Sequence, residues 1–375
     1  MATDYAALIA SRLKAAREEL EITLERAAQL AGFNNYQTLS SIEKGERSVK
    51  VAELAQFARV YGRSLDYFLD SGTPPPKPAV RWRNAQNATD RLGTERRFLQ
   101  FCEDYARLET FAHVRSGSLP LACPKAPLGY PDAAMLASQT CKLMELGSRP
   151  ALALREVLEE KHGVKVLVEY TEGGSAACTR GGFGAGIFVN AADRPWRQNY
   201  DVAHELYHLL TWDVVDPGTE PDPESLDEKY ANLFASVLLL PGESVTDEFQ
   251  RRVHSGELSF ADAVAMAREF GVSVDALLWR LVNLKLVEKT SVQQVLANDS
   301  LRQTDRFERL KDQVQQPPRP SARFVSLAFE CLMNGTLSRG RFAEMMGIRR
   351  GQVRTFLAEY GFDETGDYTG QVSAT

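Results

Sequence analysis

Apolar positions recur at helical spacing through most of the chain. Leu8, Ile9, Leu13, Ala16 and Leu20 predict a helix over 8–20. Thr23 can cap a second over 24–31, which Gly32 ends; a third begins at Tyr36, and 51–61 and 64–69 complete a set of five. A proline-rich spacer, Ser71–Ala79, interrupts the pattern, and residues 80–115 read as helical again. In that stretch Arg81, Arg83, Arg91, Arg96 and Arg97 read as a solvated face without chemistry. Helices over 132–146 and 151–161 precede the one region where the period drops to two. Val164–Tyr170 alternates as a strand, 176–179 and 184–189 follow, and Gly181-Gly182 signals a hairpin turn between those two. Helical spacing returns over 200–212, 225–240, 243–255, 259–270 and 273–286. Residues 293–316 are polar, a helix and then a linker into a compact helical unit at 321–360, and the tail from Asp363 reads as disordered.

These elements predict an α+β chain, mostly α: a five-helix helix-turn-helix domain at 1–72, a proline-rich linker and connecting helix at 73–130, a metallopeptidase-like domain with a small antiparallel sheet at 131–290, and a C-terminal helical domain at 291–375. A length of 375 residues fits two to four such cores. Composition adds little beyond an ordinary globular balance, with 44% hydrophobic and 25% charged residues. No apolar run is long enough to span a bilayer, so no membrane role is expected. The five cysteines lack paired spacing and read as free thiols of a reducing cytoplasm. The formal net charge of -6 means that any contact with nucleic acid must be local.

The chemistry concentrates at Tyr200–Trp212, YDVAHELYHLLTW. His204, Glu205 and His208 stand in the order H-E-x-x-H. Positions i and i+4 lie one turn apart on one helix face, so both imidazoles can reach one metal ion. Glu205 is placed to hydrogen-bond a water there and take its proton. The chain has five histidines in all, which makes chance a poor explanation of the motif. A hydrolytic zinc takes three protein ligands, and the third is expected from the next helix, 225–240, where Ser225 or Asp227 could cap the start. Glu228 is the leading candidate and Asp227 its rival, because sequence leaves the phase of that helix open.

Here the chain resembles the ImmA/IrrE-type metallopeptidases, whose H-E-x-x-H helix is followed by E-x-x-A-N-x-F-A-x-x-L-L-x-P. The second part reads Glu228, Ala231, Asn232, Phe234, Ala235, Leu238, Leu239 and Pro241. Arg197 and Tyr200 match the Arg and aromatic that the family places upstream. The resemblance supports Glu228 as third ligand and implies bound Zn2+, with Mn2+ as the other possibility. One departure is Tyr207, where the family has Gly; a tyrosine there can crowd the metal or offer its phenol to the oxyanion, which gives it a candidate catalytic role beside Glu205.

Residues 5–70 resemble the Xre/phage-repressor helix-turn-helix domain. Arg12-Leu13, Ala27-Ala28, Leu39-Ser40, Ile42-Glu43-Lys44-Gly45-Glu46-Arg47 and Leu54–Phe68 carry that resemblance. The third helix would enter the major groove with Tyr36, Gln37, Thr38 and Ser41 at base edges, while Lys44, Arg47 and Lys50 hold phosphates. The domain carries nine Lys/Arg against ten Asp/Glu over residues 1–70, a near balance that leaves a protein-binding module open. The expected partners are a double-stranded DNA operator and a repressor, toxin or other regulatory protein, bound by a homodimer. Residues 270–281 look like a helical cap on the peptidase core. At the far end, Arg319, Arg323, Arg339, Arg341, Arg349, Arg350 and Arg354 suit a second nucleic-acid contact or an acidic partner. The leading expectation is a DNA-bound regulator with zinc endopeptidase activity toward a regulatory protein. The competing one is a non-enzymatic antitoxin or mobile-element regulator with a silent or structural metal site.

Overall fold

Two buried alanines, Ala27 and Ala28, let the helix Leu24–Leu30 (α2) close on the helix Tyr36–Glu43 (α3), whose Leu39 and Ile42 are buried in the same cluster. Thr23 Oγ1 accepts from the Arg26 amide and Asn35 Oδ1 from the Gln37 amide, so each of the two helices starts on a side-chain cap. Gly32 takes φ +75° at the turn between them, a conformation that suits glycine. The helices Tyr5–Glu19 (α1), Val51–Tyr61 (α4) and Leu65–Leu69 (α5) complete the core with Leu13, Leu54, Phe57 and Phe68. The Arg17 guanidinium bridges to Glu43 at 2.8 Å, tying α1 to α3.

The computed structural model describes residues 5–20, 22–61, 63, 65–69, 78–83, 88–114, 117–119, 129–215, 224–298 and 318–363. Most of the expected spacer at 71–79, the linker before Pro317 and the tail lie outside them, as do residues 216–223 of the acidic stretch that follows the H-E-x-x-H segment. The chain divides into two compact units, residues 1–78 with 92–100, and residues 79–91 with 101–375. Among the described residues no helix is long and apolar enough to cross a membrane.

The second unit holds a four-stranded sheet: Val80–Arg83 (β1), Lys165–Glu169 (β2), Ala176–Gly181 (β3) and Gly184–Asn190 (β4), in the order β1-β3-β4-β2. It differs from expectation in two ways. The sheet is mixed rather than antiparallel, because β2 runs parallel to β4. And the segment read as the start of a helix is an edge strand, antiparallel to β3 with Arg81 opposite Cys178. Trp82 turns to one side and stacks near Phe188, while Arg81 and Arg83 turn to the other, the period of two that a strand imposes.

The helices Pro150–Glu160 (α8) and Pro195–Leu210 (α9) pack on that sheet, Leu226–Leu239 (α10) packs on α9, and Tyr130–Leu143 (α7) packs on α10. Helix α6, Ala88–Phe111, follows β1. Helices Gly242–Arg252 (α11), Phe260–Glu269 (α12), Val274–Asn283 (α13) and Lys289–Leu296 (α14) extend the same core through Val245, Phe270, Leu277 and Leu281. Ser225, Ser259 and Ser273 cap α10, α12 and α13. The last helices, Ala322–Met333 (α15), Arg339–Met345 (α16) and Val353–Glu359 (α17), form a smaller cluster on Tyr105 and Leu108 of α6. A buried charge group pins this cluster: Glu109 meets Lys165 at 2.9 Å and Arg323 at 2.7 Å.

Candidate metal centre

Ten consecutive residues of α9, Asp201–Leu210, are buried. Val202, Leu206, Leu209 and Leu210 account for that burial through apolar packing, and it carries His204, Glu205 and His208 out of water with them. Helix α10 packs along α9 and brings Glu228 from its first turn onto both histidines. His204 Nε2 lies 3.0 Å from Glu228 Oε2, His208 Nε2 lies 3.2 Å from Glu228 Oε1, and the two Nε2 atoms are 3.1 Å apart. Tetrahedral zinc with bonds of about 2.0–2.1 Å keeps its donors a little over about 3 Å apart. The three donors thus already stand at the spacing of one face of such a site.

The charge states suit a cation. Burial lowers His204 to about 3 and also lowers His208, so both imidazoles are neutral donors at neutral pH. Burial pushes the Glu228 carboxyl up, but the hydrogen bonds with His204 and His208 outweigh it and hold the group well below the usual carboxylate range. Glu205 stands apart. It is 1% exposed, and its carboxyl has no charged hydrogen-bond partner among the described residues, the Cys178 thiol beside it being a weak donor. Burial pushes it up to about 8, against the smaller lowering effects of Cys178 and Arg83. A buried carboxyl with so weak a partner is costly unless another group uses it. The neutral histidines, the ionised Glu228 and the weakly partnered Glu205 together fit a divalent metal with a water beside it.

A further set of side chains holds these groups in place. Asn232 Oδ1 accepts from Arg83 Nη2 at 3.2 Å and from the Tyr200 hydroxyl at 3.4 Å, and lies 3.2 Å from His204 Nδ1. Arginine can only donate, so the atom it meets is the amide oxygen, which can accept from His204 Nδ1; in that tautomer Nε2 is a lone pair free for a metal, whereas the hydrogen bond to Glu228 Oε2 needs the proton on Nε2. On the other histidine, Asp227 Oδ2 lies 3.5 Å from His208 Nδ1, and Asp227 Oδ1 accepts from the Tyr207 hydroxyl at 3.2 Å. Of the two carboxylates left open by sequence, Glu228 meets the Nε2 atoms and Asp227 stands behind His208. Tyr207 is fully buried, with its ring against His208 and Phe234.

Sequence reading missed the part of the site that comes from β1. Arg81 and Arg83 are not a solvated face. Arg81 is 8% exposed and reaches Asp227 and Glu228 Oε1. Arg83 donates to the buried Asp201, which burial raises to about 6 although Arg83 and Arg197 oppose it. The alternation Arg81-Trp82-Arg83 was a usable signal, but the carboxylates that neutralise the arginines lie more than a hundred positions away. Asn232 sat in the quoted motif without a role.

The candidate DNA-reading residues occupy α3 and the turn beyond it. Tyr36, Gln37 and Lys44 are exposed, while Thr38 and Ser41 are half-buried. Gln37 Oε1 accepts from Asn35 Nδ2 at 3.0 Å, which orients its amide. Arg47 is held by Glu53 at 2.7 Å, and Lys50 is exposed.

Residues 159–282 match the family described as IrrE N-terminal-like domain, and residues 13–68 match the family described as helix-turn-helix. The first span contains all four residues of the metal centre and the second contains α2 and α3. The search of curated proteins returned no match. Among solved structures, the apo form of the competence regulator ComR from Streptococcus vestibularis aligns with 96% of this chain and 100% of its own at 14% identity, with a TM-score of 0.17.

Proposed function

From a chain that joins an Xre-type helix-turn-helix domain to an IrrE-like metallopeptidase-family domain, we propose a DNA-binding transcriptional regulator that is also a zinc-dependent endopeptidase. Its substrate is a specific regulatory protein, such as a repressor. The observation that carries this reading is the pairing of a three-donor set, His204, His208 and Glu228, with the buried carboxyl of Glu205, one residue along the same helix from His204 and without a charged hydrogen-bond partner. A purely structural metal site has no use for Glu205.

His204, His208 and Glu228 would hold the metal, with Zn2+ the first choice and Mn2+ the second. When bound, the ion supplies Lewis acidity toward a carbonyl oxygen and lowers the pKa of water. The remaining work falls to side chains. With a bound cation to offset the burial that holds its carboxyl up, Glu205 would take a proton from the attacking water, whose oxygen bonds to the scissile carbonyl carbon. Glu205 then returns the proton to the leaving nitrogen as the C–N bond breaks. Asn232 and Asp227 fix the imidazole orientations, and burial keeps bulk water from competing. The Tyr207 hydroxyl, seated on Asp227, is the candidate for a supporting dipole near the oxyanion.

One observation favours the second reading, a non-enzymatic antitoxin-like or mobile-element regulator: Arg81 stands on Glu228 and Asp227 and offsets their charge without a metal. The deciding experiment is incubation of zinc-loaded protein with regulators encoded beside its gene. A single cut that disappears in Glu205→Gln supports the peptidase. No cut in any of them, at full metal occupancy, favours the binding module.

A further inference from the structure

Strand β1 holds an outer position in its sheet. It is four residues long, among the described residues it pairs only with β3, and it places Arg81 opposite Cys178. The Cys178 thiol in turn lies beside Glu205. The backbone seat that β1 fills is therefore the edge of the sheet nearest the general base. Sheet edges are where extended peptides bind, through main-chain hydrogen bonds with alternate side chains read by pockets.

The side chains of β1 behave like those of such a guest. Arg81 enters the carboxylates of Asp227 and Glu228, and Arg83 enters the pocket of the Asp201 carboxylate and the Asn232 amide oxygen. Trp82, between them, packs against Phe188 on the far face. Both arginines end on groups that belong to the metal centre or hold it in place. The pockets are acidic, buried and spaced for residues two apart.

We infer that the β3 edge is the seat for the substrate's extended segment, that this segment carries arginines two residues apart, and that Val80–Arg83 is the chain's own stand-in for it. A substrate strand must exchange with β1 to enter. The inference rests on the peptidase reading and adds to it a substrate class and a closed resting state. Exchange breaks the four edge pairs and the buried ion pairs of Arg81 and Arg83, which the arginines of an incoming strand remake.

The test uses full-length Glu205→Gln protein, so that a bound peptide is not cut, with its zinc content measured first. The probe is a fluorescent six-residue peptide with the sequence of residues 79–84, Ala-Val-Arg-Trp-Arg-Asn, and a control with Glu at both Arg positions. A cysteine pair, Val80→Cys with Thr179→Cys, can staple β1 to β3, since those residues are paired in register. Reduced protein should bind the Arg peptide at least tenfold tighter than the Glu control. Oxidation should abolish binding, and dithiothreitol should restore it. Trp82→Ala, which loosens β1 without touching the arginines, should tighten peptide binding several-fold in the unstapled protein.

Equal binding by stapled and reduced forms overturns the inference, because the peptide would then sit outside β1. So does a zinc-loaded, reduced protein that binds neither peptide. Absence of zinc in carefully prepared protein is a different failure: it removes the peptidase reading itself.

Discussion

Arg81 Nη2 stands 3.2 Å from Glu228 Oε1, across 147 positions of sequence. The same nitrogen also bonds Asp227, so one guanidinium holds both carboxylates at the start of α10. A cation brought to the histidines competes with that guanidinium for Glu228. Arg81→Ala should therefore leave metal binding possible but alter its affinity, in contrast to loss of a donor.

Loss of a donor should be decisive. His204→Ala, His208→Ala and Glu228→Ala should each abolish the one divalent metal per chain expected on elemental analysis, while Glu205→Gln should retain it. Asp227→Asn removes the charge behind His208 together with one of the two carboxylates that Arg81 holds, and should weaken metal affinity by about 10–100-fold, the usual effect of losing such an orienting group. A Glu228→Ala protein with full metal would show that some other carboxylate is the ligand.

Asn232→Leu should show the importance of a half-buried amide that serves His204 and Arg83. The change leaves His204 Nδ1 without its acceptor and Arg83 with Asp201 alone, while the Tyr200 hydroxyl keeps the main-chain oxygen of residue 232 at 2.9 Å. A cost of about 2–3 kcal/mol in stability is expected, together with weaker metal binding. Asn232→Asp keeps an acceptor and should recover most of the metal affinity. Thermal melts with and without added zinc separate the two effects, and identical behaviour of both variants would remove Asn232 from the account.

Glu159 supplies a pH test away from the metal. It is 5% exposed, and burial pushes its carboxyl up to about 7, only partly offset by Arg155. The folded state then binds a proton that the unfolded state releases between about pH 4.5 and 7, so stability falls as pH rises through that window and is level above it. The full effect is about 3 kcal/mol. Glu159→Gln mimics the protonated group. It should melt like wild type at pH 5 and roughly 5 °C higher at pH 8. The same melting difference at both values would mean that the carboxylate is ionised in the fold.

For the helix-turn-helix domain, the test is a near-palindromic site upstream of the protein's own gene. Gln37→Ala should relax sequence preference, because its oriented amide can pair with adenine. Lys44→Ala should weaken binding to all sequences alike and reduce the salt slope by about one. Arg47→Ala should do less than Lys44→Ala, since Arg47 must first give up Glu53. No protection of that promoter at low salt would turn the domain toward protein binding.

What could be read in advance follows the range of the physics involved. Caps act over three residues, and Thr23 and Ser225 were legible as such, with Ser225 rather than Asp227 accepting from the Glu228 amide. The i, i+4 histidines act over one turn, and their approach in space needed only a helix. Val51–Tyr61 was visible from its apolar period. The misread parts depend on distant partners. Residues 80–83 are a strand because β3, almost a hundred residues on, offers an edge. Their arginines are buried because Asp201, Asp227 and Glu228 receive them. The parallel pairing of β2 with β4 likewise depends on the order in the sheet, which alternation within one strand cannot express.

The bond from Arg323 to Glu109 spans 214 positions, and this sets a schedule for synthesis. When α6 and β2 leave the ribosome, Glu109 has Lys165 but lacks Arg323, and Tyr105 and Leu108 have no α15 to cover them. At about 5–20 residues per second, Arg323 follows Lys165 by on the order of ten seconds or more. The helices α9 and α10 emerge within that interval. The cluster on α6 therefore closes only after nearly the whole described chain has been made, so a nascent chain stalled before α15 would leave Tyr105 and Leu108 uncovered long after its metal-binding side chains have been made.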